Sequence, residues 1–200
     1  MTASTQPVRL AVLASGGGSN LQAILDHLES LGAERAAEVV LVLSDRADAG
    51  ALAKARANNV STAVIAKPAD GPALVRLLEM HRVEFIALAG YLKFVPAEVT
   101  ARWQGRIVNV HPALLPKFGG AGMYGRRVHA AGIAAGERES GATVHHVNGE
   151  FDRGEIISTE HVPVKPGDTP ELLAARVLVA EHHLYPRTIQ ALAVRLSTQP

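Results

Sequence analysis

An asparagine and a histidine two residues apart, Asn109 and His111, are the side chains in this sequence best spaced to act together on one molecule. They sit in IVNVHPALLPKF, residues 107–118, which opens as a short apolar strand at Ile107-Val108. Residues two apart on a strand point to the same face, so the amide and the imidazole stand side by side. An amide N–H can stabilise a developing oxyanion, and an imidazole can hold or pass a proton. Pro112 ends the strand's ladder because it has no N–H to donate, and Pro116 fixes the exit. The polar pair therefore lies at the C-terminal end of its strand, the edge where open α/β sheets bind ligands. Taken alone, an Asn and a His at a strand end serve equally well as turn-formers or satisfied polar groups.

The elements that must position this pair alternate along the chain. Residues 8–14, VRLAVLA, form the short apolar run of a buried strand and lead into Ser15-Gly16-Gly17-Gly18-Ser19-Asn20. Leu21, Ile24, Leu25 and Leu28 then mark one helical face. Strand, glycine-rich turn and helix make a phosphate cradle: glycines admit close backbone approach, and free N–H groups at a helix start favour an anion. Counting from Gly16, the third glycine of a dinucleotide fingerprint would fall at Leu21, and the Gly-Lys-Ser/Thr of a nucleotide P-loop is missing. A small phosphomonoester is the preferred ligand, with a tight turn that binds nothing as the alternative.

Further strands are expected over 39–43, 60–66 and 84–89, with helices over 48–58 and around Leu74, Leu77 and Leu78. Asp45 reads as a turn residue or a cap for the helix that follows. Beyond His111 come a glycine-dense loop (119–125), a helix over 128–135, and strands over 141–147 and 155–164. Arg126-Arg127 reads as surface charge. His145 and His146 are adjacent, so they face opposite ways and cannot easily share a metal. Leu173, Val177, Ala180 and Leu184 mark a last helix, which Pro186 should kink or break. The alternation predicts an α/β fold: a Rossmann-like, doubly wound, mostly parallel sheet with helices on both faces and antiparallel C-terminal strands.

Composition narrows the partners. The net charge of +1 is too balanced for bulk attraction to nucleic acid or an anionic membrane. With no cysteine there are no disulfides, thiolate metal sites or cysteine nucleophiles, which fits a reducing cytoplasm. MTASTQP reads as a loose tail rather than a signal peptide, and no apolar run approaches the roughly 18 residues of a membrane helix.

The stretch N-V-H-P-A-L-L-P-K-F closely resembles the Asn-x-His-Pro-Ser-Leu-Leu-Pro signature of the folate-dependent formyltransferases, with Ala113 where that family usually has Ser. The likeness is nearest to the branch acting on glycinamide ribonucleotide, and it runs from about Val8 to Ala193. The resemblance implies that Asn109 and His111 are catalytic. It makes Asp152, in a turn resembling the family's Asp-x-Gly, the third catalytic residue. S-G-x-G-S-N matches the loop that holds the ribose phosphate, implicating Gly16, Gly17, Gly18, Ser19 and Asn20; Glu181, in a run like Glu-His-x-x-Tyr-Pro, would contact the glycinamide. L-A-G-Y-L-K-F resembles part of the folate pocket, implicating Gly90, Tyr91, Leu92, Lys93, Phe94 and Val95, with Asn109 and His145 beside them.

On this resemblance the chain is one formyltransferase domain over 1–200, with a phosphate-binding half of about 8–105 and a folate and catalytic half of about 106–196. The implied donor is 10-formyltetrahydrofolate as cosubstrate, and the acceptor is glycinamide ribonucleotide in purine synthesis. The implied chemistry needs no metal, and the expected protein is a cytoplasmic monomer or homodimer. Asp152 would raise the pKa of His111. The rivals are the tRNA formyltransferase, the deformylase and the dehydrogenase, whose extra domains this chain is not expected to carry, and a non-catalytic folate-binding module.

Overall fold

Val8–Leu13 (β1) is apolar but for Arg9, and the computed structural model places it inside a seven-stranded sheet in the order β3-β2-β1-β4-β5-β6-β7. The structure describes residues 6–198; the tail expected over MTASTQP falls, for residues 1–5, outside the described residues. The other strands are Ala37–Ser44 (β2), Ser61–Val64 (β3), Phe85–Leu88 (β4), Ile107–His111 (β5), Glu139–His146 (β6) and Ile156–Pro163 (β7). The first five run parallel, and β6 and β7 are antiparallel. The helices are Ser19–Ser30 (α1), Gly50–Ala57 (α2), Gly71–Met80 (α3), Ala97–Arg102 (α4), Arg126–Ala134 (α5) and Pro170–Thr198 (α6). Fold class, strand order of appearance and the antiparallel end all agree with the sequence pattern, and element ends differ by a few residues.

Period-two alternation along β1 divides the core. Leu10, Val12 and Ala14 join Leu21, Ile24 and Leu28 of α1 and Val177, Tyr185 and Ile189 of α6 on one face. Ala11 and Leu13 join Leu74 and Leu78 of α3 and Val99 and Trp103 around α4 on the other. Because β1 connects to β2 on one side and pairs with β4 on the other, the chain reverses its winding between β1 and β4. That switch point leaves a crevice at the strands' C-terminal ends.

Two local expectations each lose one of their alternatives. Pro186 does not break its helix, which continues from Pro170 to Thr198. A proline inside a helix costs about 3 kcal/mol. Tyr185, Ile189 and Ala193, on both sides of it, are wholly buried, and at about 1.5–3 kcal/mol for each large side chain that packing outweighs the lost bond. The Tyr185 hydroxyl also reaches the carbonyls of Leu88 (3.0 Å) and Val108 (3.1 Å), fastening α6 across β4 and β5. Asp45, in turn, caps nothing. The residue before α2 is Ala49, without a side-chain cap, and Asp45 sits at a bend with its side chain buried and one oxygen 3.9 Å from Lys93 Nζ.

Candidate active site

The crevice is assembled from loops that follow β1, β4 and β5. The Ser15 N–H donates to the Gly90 carbonyl at 3.0 Å, and the Leu92 N–H donates to Ser15 Oγ at 3.0 Å, so the first two loops are tied together. The third is pinned from β6: the buried Thr143 hydroxyl donates to the Ala113 carbonyl (2.6 Å) and accepts the Leu115 N–H (3.1 Å). The turn that ends β5 at Pro112 is thereby rigid on both sides.

Asn109 and His111 do share a face, and the antiparallel register sets His145 directly opposite Asn109. Asp152 arrives from the β6–β7 loop in a left-handed conformation, φ 53°, which is uncommon outside glycine and tolerated best by Asn and Asp. Its carboxylate accepts the Gly120 N–H at 2.9 Å. Around it stand His111 Nδ1 at 3.5 Å, His145 Nε2 at 3.4 Å and Asn109 Nδ2 at 3.5 Å. Nδ2 of Asn109 lies closer, 3.1 Å, to His145 Nε2.

Tautomers follow from the outer partners. His111 Nε2 lies 2.8 Å from the Phe118 carbonyl and must donate to it, leaving Nδ1 unprotonated towards Asp152 in the neutral ring. His145 Nδ1 donates to the His146 carbonyl at 2.8 Å, so its Nε2 accepts from Asn109. The expected rise in the His111 pKa is reversed: burial lowers it, and the opposing pull of Asp152 and the Phe118 carbonyl does not compensate. For Asp152, burial pushes the carboxyl up, but His145, His111 and the Gly120 N–H together hold it below its ordinary value. The resting pair is a carboxylate facing a bare imidazole nitrogen, a slot for one proton.

This cluster forms part of the wall of a cavity of about 620 Å³. On one side, all six residues from Gly90 to Val95 border it, with Tyr91 and Val95 buried beneath and Leu92 and Phe94 exposed. Phe94 meets Phe151 edge-on with ring centroids 5.1 Å apart. Lys93 borders the cavity while facing Asp45, and burial beside Asp45 pushes the Tyr91 hydroxyl up to about 12. On the other side lie Asn20 and Glu181. Asn20 Nδ2 donates to Glu181 Oε2 at 2.6 Å; burial raises the Glu181 carboxyl, and that bond pulls it back.

Of the expected phosphate loop, only Asn20 borders the cavity; Gly16, Gly17, Gly18 and Ser19 lie outside its lining. Their N–H groups donate to nothing among the described residues. Gly18 has φ 74° and Ala51 within 2.7 Å of where a Cβ would stand, so the fold itself demands glycine there. Gly16 and Gly17 have open space and no such demand. Sequence reasoning missed His129 on α5 and Phe151, which both border the cavity. A lone helical histidine carries no local signal, and Phe151 reads as loop until Phe94 is placed beside it. Among the described residues no set of three or more His, Asp or Glu is arranged to hold a metal ion, and no helix is long and apolar enough to cross a membrane.

Comparison with known proteins gives one consistent result. A family model described as formyl transferase matches residues 8–189. A chloroplastic phosphoribosylglycinamide formyltransferase of Arabidopsis thaliana is 44% identical over 92% of this chain, which spans 65% of that relative's length. A trifunctional purine biosynthetic protein of Gallus gallus is 40% identical over 94% of this chain and 19% of its own. The crystal structure of phosphoribosylglycinamide formyltransferase from Brucella melitensis superposes with a TM-score of 0.84 at 40% identity, covering 94% of this chain and 96% of the other.

Proposed function

The chain belongs to the formyl transferase family, and on that premise we propose that it moves the formyl group of 10-formyltetrahydrofolate to the amine of glycinamide ribonucleotide, a cytoplasmic step of purine synthesis. One observation carries the reading. Asn109 and His111 each bring a nitrogen to 3.5 Å from the Asp152 carboxylate, in a cavity flanked by an apolar wall and by Asn20 with Glu181. Leu92, Phe94 and Phe151 supply exposed apolar surface for a flat pterin ring. The unengaged N–H groups of Gly16 to Ser19, at the start of α1, supply the anion cradle. Glycine at Gly16 and Gly17 answers no need of the fold, and leaves room for a ligand on the loop.

The residues then divide the work. Gly16 to Asn20 anchor the phosphate and Glu181 holds the sugar–glycinamide end, so binding becomes orientation of the amine. As the amine attacks, negative charge gathers on the formyl oxygen. Asn109 keeps one N–H on His145 at 3.1 Å and turns the other, committed only to a 3.5 Å contact, towards that oxygen; such a donor is worth about 3 kcal/mol. Asp152 takes the proton the amine must lose and, with His111 Nδ1, holds it until the folate nitrogen departs. The route needs no covalent bond to the protein.

The test is release of tetrahydrofolate from 10-formyltetrahydrofolate by purified protein, with and without glycinamide ribonucleotide. The proposal predicts release only with the ribonucleotide. Release without it identifies a hydrolase at the same site, and no release in either case from folded protein overturns the enzymatic reading.

A further inference from the structure

Among the described residues, His129 is the one imidazole bordering the cavity that no other group engages. His111 and His145 each have one ring nitrogen on a backbone carbonyl and the other on the Asp152 cluster. His129 is 4% exposed. Its Nδ1 is sealed from solvent with no hydrogen-bond partner. Nε2 has no partner among the described residues either, and lies on a ring that borders the cavity. Leaving a buried polar group unmatched is costly, and a ring kept so in a binding cavity is matched when the cavity fills.

The chemistry of the missing partner can be read from the ring. A buried N–H without an acceptor is rarer than a buried acceptor without a donor, so the proton belongs on Nε2 and the bare lone pair on sealed Nδ1. Burial, then the neighbouring charge of His111, favour the neutral ring. A neutral imidazole with its N–H towards the ligand is a donor to an uncharged oxygen. Its place on α5 is the ribonucleotide side of the cavity: α5 packs on α6, which carries Glu181, whereas the apolar wall belongs to the loops after β4 and β6. It borders the same cavity as His111 and Asp152, whereas Gly16 to Ser19 lie outside that lining. The acceptor of the ribonucleotide nearest the attacking amine is the carbonyl of the glycinamide itself.

We propose that His129 is a substrate-contacting residue whose Nε2–H donates to the glycinamide carbonyl and so aims the amine at the formyl carbon. This rests on the ribonucleotide being the acceptor, as argued above. The test compares wild type with His129→Gln, whose amide nitrogen reaches the Nε2 position, and His129→Leu, which has no donor. Steady-state kinetics are measured for each substrate separately, with ribonucleotide binding by calorimetry in the absence of folate.

Leu is expected to weaken ribonucleotide binding and raise its KM by about tenfold, leave the KM for 10-formyltetrahydrofolate unchanged, and give a thermal midpoint no lower than wild type. Gln is expected to recover most of the loss. The inference is overturned if Leu leaves ribonucleotide affinity unchanged, if both KM values rise together, or if Gln fails to rescue while unfolding like wild type. Wild type that transfers no formyl group to the ribonucleotide instead sinks the functional reading, a separate outcome visible before any variant is made.

Discussion

Replacing Asp152 by asparagine separates its chemistry from its structural role. The tightest contact of the carboxylate is the Gly120 N–H at 2.9 Å, and an asparagine oxygen accepts that bond equally well. Asparagine also tolerates the left-handed backbone that residue 152 adopts. The new NH2 then takes the place of Oδ1, beside His145 Nε2 and Asn109 Nδ2, while the oxygen that faces both the Gly120 N–H and His111 Nδ1, 3.5 Å away, becomes a neutral amide oxygen that cannot take up a proton. Geometry survives and the acceptor is gone. A positioned acid–base group contributes about 10²–10⁴-fold, so kcat should fall about 10³-fold, or about 4 kcal/mol. KM values should move less than about threefold, because the lost interaction belongs to the transition state. Stability responds differently. A carboxyl held below its ordinary value when folded stabilises the protein fully above the unfolded value near 3.8, and the contribution fades as pH falls through the lower folded value. The variant gives this up, but it keeps the Gly120 bond, so urea unfolding at pH 7 should show a loss of about 1 kcal/mol. A variant with kcat within about tenfold of wild type would refute the assignment of Asp152 to proton transfer.

Other perturbations read other parts of the site. Asn109→Ala removes the oxyanion donor, so kcat should drop about 10²–10³-fold with folding intact; an unchanged kcat transfers that role elsewhere. Gly16→Ala fills space the fold leaves open, so thermal unfolding should match wild type while the ribonucleotide KM rises about 10–100-fold. Equal KM values would mean the loop holds no phosphate. Burial holds the His111 pKa below the ordinary imidazole value of 6.5. The unfolded chain therefore binds the extra proton first, and stability should decline as pH falls from about 6.5 towards the folded value. Urea titrations at pH 7.5, 6.5 and 5.5 read this directly, and in His111→Gln the slope should flatten.

Much of this site is legible without coordinates because its signals are local. The apolar run of β1, the glycines and the leucine face of α1 define a strand–turn–helix unit. The two-residue spacing of Asn109 and His111 fixes their common face. What was hidden depends on groups distant in sequence. The Phe118 carbonyl that sets the His111 tautomer is a backbone atom, with no residue-type signal. The placing of His145 against Asn109 follows from an antiparallel register that the long connection between β5 and β6, with α5 inside it, does not encode. The sign of the His111 shift depends on how deeply the ring is buried, and the sequence shows only its charged neighbour. The break at Pro186 and the cap at Asp45 are excluded for the same reason: helix-breaking and capping are local tendencies, while sheet packing and the Lys93 contact are tertiary.

The central claim, direct formyl transfer at Asn109, His111 and Asp152, is tested most directly by a single turnover with isotopically labelled formyl donor, quenched at intervals and resolved by mass. The account predicts that label leaves the folate and appears in the ribonucleotide at one rate, with none on the protein and none as formate. Label passing through the protein, or released as formate, would contradict it.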